Sequence, residues 1–188
     1  MLTDAQTVEM LVASAVPVLA VQGVDFSAPS WVRKVKEGDH RKGPWHHMRW
    51  ELLSREDWMR RAPCLYLVVG KDGRLRYAGI SRNRMKDRWR VSPAYDAVSG
   101  ERCLEKELFH SQCQKWLEQE CRMDAGASFE VRCLHGDVLL GLLKQYRSPL
   151  SGFLELGDDF EGIAAAVERW LCNRSGKTYH LWNTAMTG

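Results

Sequence analysis

Two tyrosines, Tyr66 and Tyr77, stand on either side of "GKDG" in the stretch "CLYLVVGKDGRLRYAGISRNRMKDRWR", residues 64 to 90. Phenols held side by side can pack as an aromatic pair, or they can position a water against a phosphate. The surrounding charge bears on that choice. Residues 71 to 90 carry eight Lys or Arg against Asp72 and Asp87, a local excess of +6 in a chain whose formal net charge is +3. Charge gathered into a patch attracts polyphosphate by steering and counterion release, whereas the same charge spread evenly does little. Arg74, Arg76, Arg84 and Lys86 belong to this patch. A second basic group, Arg41, Lys42, His46 and His47, sits in "HRKGPWHH". All eight are candidate contacts to nucleic acid, with DNA favoured over RNA.

The tyrosines need a hairpin to hold them. "LYLVV" and "RLRYAGI" are short, apolar and rich in β formers, and the Asp-Gly between them is a strong turn signal. A four-residue loop sets Tyr66 directly opposite Tyr77, and a two-residue loop makes them diagonal neighbours; both registers put them on one face. Gly79 leaves the next position on that face bare. Ser81 or Asn83 can cap a helix over "RMKDRWR", in which Met85 and Trp89 turn to the core while Arg84 and Arg88 share a neighbouring face. An arginine is thereby delivered beside the hairpin.

Farther along, "CLEKELFHSQCQKWLEQECRM" (103 to 123) reads as one long amphipathic helix and "SFEVRCL" (128 to 134) as a third strand. An insertion follows at about 136–158. "DDFEGIAAAVERWLCN" is then a helix with Ile163, Val167, Trp170 and Leu171 as its buried stripe and Glu168 on the margin. Upstream, residues 4 to 15 read as a helix, residues 40 to 47 as a loop, and "SREDWMRR" as a helix start with Ser54 at the N-cap. The expected fold is α/β in the broad sense (α+β). It has a small three-stranded, mainly antiparallel sheet built on the hairpin and flanked by helices. Residues 1–60 form a mostly helical, basic and aromatic extension, and 61–188 form the functional domain.

The order of these residues resembles the GIY-YIG nuclease domain. "CLY" (64 to 66) stands where that family has its first triplet, "YAG" (77 to 79) stands for the second, and Ser81 follows. The family's helical arginine is best matched by Arg88, with Arg84 as competitor. Its metal-binding glutamate is best matched by Glu168, with Glu161 two turns earlier, and its asparagine by Asn183 in "LWN". Cys64, Leu65 and Ala78 depart from the triplets at positions set by packing. The histidine often found one turn after the arginine is missing, and "RWRVSPAY" offers Ser92 and Tyr95 there instead. The resemblance implies a single-metal endonuclease using Mg²⁺ or Mn²⁺. In it Tyr66 helps to activate water, Tyr77 positions water or phosphate, Arg88 stabilises transition-state charge, Glu168 holds the metal, and Asn183 completes the site. One carboxylate suits a hard cation that keeps waters and a substrate phosphate.

Length and composition bound the remaining readings. At 188 residues and 45% hydrophobic content, the chain is the size of one domain with an elaboration. The apolar run near its start is too short to span a bilayer, so no membrane partner is expected. Six cysteines without a CxxC pair indicate neither a zinc framework nor a disulfide scaffold, and a reducing cytoplasm fits them. His110 and Cys113 have ligand-like spacing, with Cys121 following, but packing on a helix explains them more economically. A noncatalytic nucleic-acid-binding or adaptor module on the same fold stands as the alternative function, as does a nuclease toxin or effector.

Overall fold

A computed structural model describes residues 1–34, 41–91, 93–103, 107–157, 159–175 and 182–183. Among these, the strands are β1 (Val16–Asp25), β2 (Trp31–Lys34), β3 (Arg41–Trp45), β4 (His47–Leu52), β5 (Cys64–Gly70), β6 (Leu75–Ser81), β7 (Arg90–Val91), β8 (Tyr95–Asp96), β9 (Glu107–Leu108) and β10 (Phe129–His135). The α-helices are α1 (Asp4–Ser14), α2 (Arg55–Met59), α3 (Met85–Trp89), α4 (Gln114–Met123), α5 (Gly136–Gln145) and α6 (Phe160–Trp170). The architecture is mixed α+β. A five-stranded antiparallel sheet runs in the order β4-β1-β10-β5-β6, beside a three-stranded sheet β3-β2-β8 and a short β7-β9 ladder.

Every residue of β5 is buried, as a strand covered on both faces requires. Its alternate residues divide between two cores. Cys64, Tyr66 and Val68 face a layer containing Trp58, Met85, Trp89 and Leu117, while Leu65, Leu67 and Val69 face Leu11, Leu139, Ile163 and Val167. Helices α2, α3 and α4 therefore close one face, and α1, α5 and α6 close the other.

Several expectations are corrected. The main sheet has five strands, not three, because β1 and β4 join the expected β5, β6 and β10. Residues 1–60 are not mostly helical, because β1 and β4 extend the main sheet through the pairings β1–β10 and β1–β4. The Val-rich "VPVLAVQGVD" meets the burial demand of a strand; buried and open positions alternate from Leu19 to Gly23, and the buried doublets Val18–Leu19 and Gly23–Val24 lie next to the register shifts. The expected loop at 40–47 is largely strand, β3 leading into β4. The long helix at 103–123 is confined to α4, since His110 and Cys113 turn the chain into it and β9 precedes them. Within α6 the buried stripe is Ile163, Ala164 and Val167, continued by Leu171, with Trp170 only partly buried.

The hairpin takes the diagonal register. Tyr66 pairs with Gly79 and Val68 with Tyr77, and a shift at Arg76 leaves Val69 opposite Leu75. Gly79 is required there because a Cβ would overlap the Tyr66 phenol and come within 2.9 Å of the Tyr77 ring. The bare position is thus the bed on which the Tyr66 ring lies. Neither Ser81 nor Asn83 caps α3 with its side chain; Arg84 holds the N-cap position, and Ser81 Oγ donates to the Asn83 carbonyl at 2.9 Å.

Candidate active site

Side chains from five parts of the chain meet at the β6 edge, where the helices covering the two faces approach each other. Tyr66 and Tyr77 stack with centroids 6.0 Å apart and planes 19° from parallel. Arg88, one turn into α3, donates from Nε to the Tyr66 hydroxyl oxygen at 3.1 Å. A pocket of about 470 Å³ opens beside them, lined by Tyr77, Arg88, Gln112, Glu168, Cys172 and Asn183 among others. Tyr66 itself is fully buried and does not line that space.

His110 was not singled out for this site from the sequence. Its Nε2 lies 2.6 Å from the Tyr66 hydroxyl, and its ring sits among Tyr66, Tyr77 and Trp89 at centroid distances of 5.6, 5.4 and 4.7 Å. Two local features place it. The Arg90–Leu108 pairing and the Phe109 N–H bond to the Trp89 carbonyl bring the segment alongside α3, and the His110 carbonyl then accepts from Cys113 and Gln114 at the start of α4. The Tyr66 oxygen accepts from Arg88 and shares a second hydrogen bond with His110 Nε2, whose donor is set by the imidazole tautomer. Of the two residues that stand where the GIY-YIG family often has a histidine, Ser92 lies outside the described residues, and Tyr95 belongs to β8, paired with Val32 of the second sheet.

Burial sets the electrostatics of this chain of groups. It raises the Tyr66 phenol well above its ordinary 10, with the Arg88 guanidinium opposing it, and pushes Tyr77 up to about 12. Burial, reinforced by Arg88, brings His110 down to about 3. Desolvation also raises the Glu168 carboxyl, again against Arg88. Phenols and imidazole are therefore neutral across the physiological range.

The His110 shift has a measurable consequence. Between about pH 6.5 and about 3 the unfolded chain protonates this histidine and the folded chain does not, so the contribution to stability is complete above 6.5 and is lost as pH falls. Urea unfolding of wild type and His110→Gln across this range should give a steeper acid loss for wild type. Equal slopes would contradict a buried, neutral His110.

Arg88 and Glu168 are separated from their competitors by their partners. Arg84 forms a bidentate pair with Asp87 at 2.8 and 3.1 Å, and Glu161 pairs with Arg82 at 3.2 Å. Both line a neighbouring pocket of about 420 Å³. No hydrogen bond or ion pair among the described residues engages the Glu168 carboxylate. Asn183 does line the site, yet its amide is committed to the β6 backbone, accepting from the Ala78 N–H at 3.3 Å and donating to the Ala78 carbonyl at 2.5 Å. It positions the strand between Tyr77 and Gly79. Trp182 anchors the same segment, bonding through its N–H to the Arg76 carbonyl at 2.7 Å and through Nε1 to Glu120 at 2.8 Å.

The basic candidates do not form one free patch. Arg76 is held by Glu120 and Asp72, each at 3.0 Å. His46 meets Glu118 at 3.3 Å and His47 meets Glu107 at 2.9 Å, so the carboxylates of α4 and β9 take up both imidazoles. Lys42 and Arg74 are exposed and Lys86 is half-buried. The Arg41 side chain lies outside the described residues. No helix among the described residues is long and apolar enough to cross a membrane. Compared with protein-family models, curated proteins and solved structures, the chain matches none.

Proposed function

We propose that the chain is a metal-dependent endonuclease of the GIY-YIG type that hydrolyses phosphodiester bonds, with DNA as the favoured substrate. One observation carries the reading: Tyr77, Arg88 and Glu168 face a single pocket, and Arg88 also bonds the buried Tyr66. These types are what the reaction needs. A phosphodiester requires a positioned water, a cation against the phosphoryl oxygens and support for the leaving alkoxide.

The residues fit a hard divalent cation. Glu168 offers a partly buried carboxylate with no protein partner among the described residues, and its desolvation raises the proton affinity that a cation would offset. Mg²⁺ or Mn²⁺ held by Glu168, with waters and a substrate oxygen, would neutralise phosphoryl charge and stabilise the leaving group. Arg88 presents a permanent positive charge to the same phosphate. Tyr77 contributes its hydroxyl from the pocket wall. Tyr66 acts from behind, fixing Arg88 on one side and sharing a hydrogen bond with His110 on the other. With its phenol raised so far, Tyr66 does not activate water as a free phenolate at neutral pH. It can take that role only as Arg88 and bound substrate lower the cost of its ionisation.

Phenylalanine substitutions separate these duties. Tyr66→Phe keeps the ring but leaves Arg88 Nε and His110 Nε2 without the partner seen here, beside a His110 Nδ1 that has none among the described residues, so the rate should fall by ~10² to 10⁴ and stability by roughly 1–3 kcal/mol. Tyr77→Phe should lower the rate with a smaller loss of stability. Single-turnover cleavage and urea unfolding read the two effects, and full activity in both variants would reduce the tyrosines to packing. The function itself is tested by incubating purified protein with single-stranded DNA, duplex DNA and RNA in Mg²⁺, Mn²⁺ or EDTA. Divalent-dependent scission of DNA is expected; binding without scission of any substrate would favour a noncatalytic module.

A further inference from the structure

A second group of chemically reactive side chains lies at the start of β5, where Cys64 opens the strand two residues before Tyr66. Cys133 and His135 occur at i and i+2 on β10 and so project from the same face of the sheet. His135 pairs in register with Cys64 of β5, whose side chain lies in the same core layer as Cys133. Asp57 reaches the same point from α2. Its Oδ1 lies 2.9 Å from His135 Nε2, while Ser54 Oγ fixes its other oxygen at 2.6 Å. Cys133 Sγ is 3.5 Å from that same Nε2, and the ligand atoms of Asp57, Cys133 and His135 are all within 4.8 Å of one another.

The convergence on one nitrogen decides what the cluster can do. A nucleophilic triad needs the thiol on one imidazole nitrogen and the carboxylate on the other, so that the ring can pass a proton between them. Here both approach Nε2. Three donors pointing at one small volume make a cation site instead. Tetrahedral zinc, with bonds of about 2.0 Å to nitrogen or oxygen and about 2.3 Å to sulfur, sets neighbouring ligand atoms roughly 3.3 to 3.6 Å apart. The observed 3.5 and 2.9 Å separations lie close to that pattern. Thiol ligands exclude Mg²⁺ and Ca²⁺ as the preferred occupant and select a borderline-soft ion.

We infer that Asp57, Cys133 and His135 form a structural Zn²⁺ site, and that the Cys64 thiol, which lies outside the converging trio here, turns in as the fourth ligand on binding. On binding, the two thiols release their protons to solvent and ligate as thiolates, and His135 ligates through the Nε2 lone pair; no electron is transferred. The ion would tie α2 to the two central strands β5 and β10. It would also brace α3, because Cys64 Sγ touches Met85 Sδ at 3.5 Å. Cys133 and His135 are almost wholly buried, which suits a closed structural site, not an open catalytic one.

The test is independent of nuclease activity. The full chain, purified from zinc-supplemented cells and desalted, is assayed for metal by mass spectrometry, then stripped and titrated with Co²⁺ alone. About one zinc per chain is expected, together with a thiolate-to-cobalt charge-transfer band and a melting temperature that rises when Zn²⁺ is restored. Cys133→Ser should abolish the band. Asp57→Asn keeps size and lies at the partly exposed rim, so it should fold and bind zinc at least ~10-fold more weakly. Absence of the cobalt band in the folded wild type, or zinc affinity unchanged in Asp57→Asn, would overturn the assignment.

Discussion

Glu168→Ala is expected to abolish phosphodiester cleavage and leave the melting temperature unchanged or slightly raised. The carboxylate lies on the margin of α6, lines the pocket with Tyr77 and Arg88, and has no hydrogen-bonded partner among the described residues. Desolvation raises its proton affinity. The sign follows: a carboxyl whose folded value lies above its unfolded one makes the charged form unfavourable in the fold, so its removal at neutral pH relieves a cost. Functional groups commonly carry such costs. A structural glutamate would behave in the opposite way, with stability lost and activity following. Glu161→Ala serves as the internal control, because that residue is already engaged by Arg82 and lines the neighbouring pocket. Cleavage lost in Glu161→Ala and kept in Glu168→Ala would move the metal ligand two turns along the helix.

Arg88→Ala should cost about 10³ to 10⁵ in turnover with a much smaller change in DNA affinity, the range seen when an arginine meets charge that develops in phosphoryl transfer. Its guanidinium is anchored through Nε to Tyr66 and stands beside Tyr77 on the wall of the pocket. Arg88→Lys tests the geometry. A lysine keeps the charge but cannot reproduce a planar guanidinium held at Nε, so it should rescue affinity without restoring rate. Arg84→Ala should alter turnover little, since Arg84 is spent on Asp87. Equal losses of affinity in Arg84→Ala and Arg88→Ala, with turnover spared, would point to a binding surface.

Apolar runs joined by an Asp-Gly turn made the hairpin legible in the sequence, alternation made β10 legible, and a 3.6-residue period made α6 legible. The hairpin register was open between two solutions. Turn chemistry did not choose; the bulge at Arg76, where Asp72 and Glu120 hold the guanidinium, carries the diagonal pairing into the tyrosine positions. β4 was hidden because "HMRWEL" interleaves charge and tryptophan in a segment whose basic residues suggested a ligand surface. His110 was hidden for a different reason. It stands 44 residues from Tyr66, and the two-residue β7–β9 ladder with the Phe109–Trp89 backbone bond brings it alongside. A local signal did exist: "LFH" ends in a polar residue that the apolar neighbours force inward, and all three are buried. The Asp57, Cys64, Cys133 and His135 cluster gave no linear signature at all, because each of three separate elements supplies its members.

The most direct test of the account compares wild type and Glu168→Ala, purified side by side, on supercoiled duplex DNA with Mg²⁺ and again with EDTA. The account predicts nicked and linear DNA from wild type in Mg²⁺, none in EDTA, and none from the folded variant in either. Cleavage by Glu168→Ala at the wild-type rate, or DNA bound but uncut by wild type in both Mg²⁺ and Mn²⁺, would contradict it.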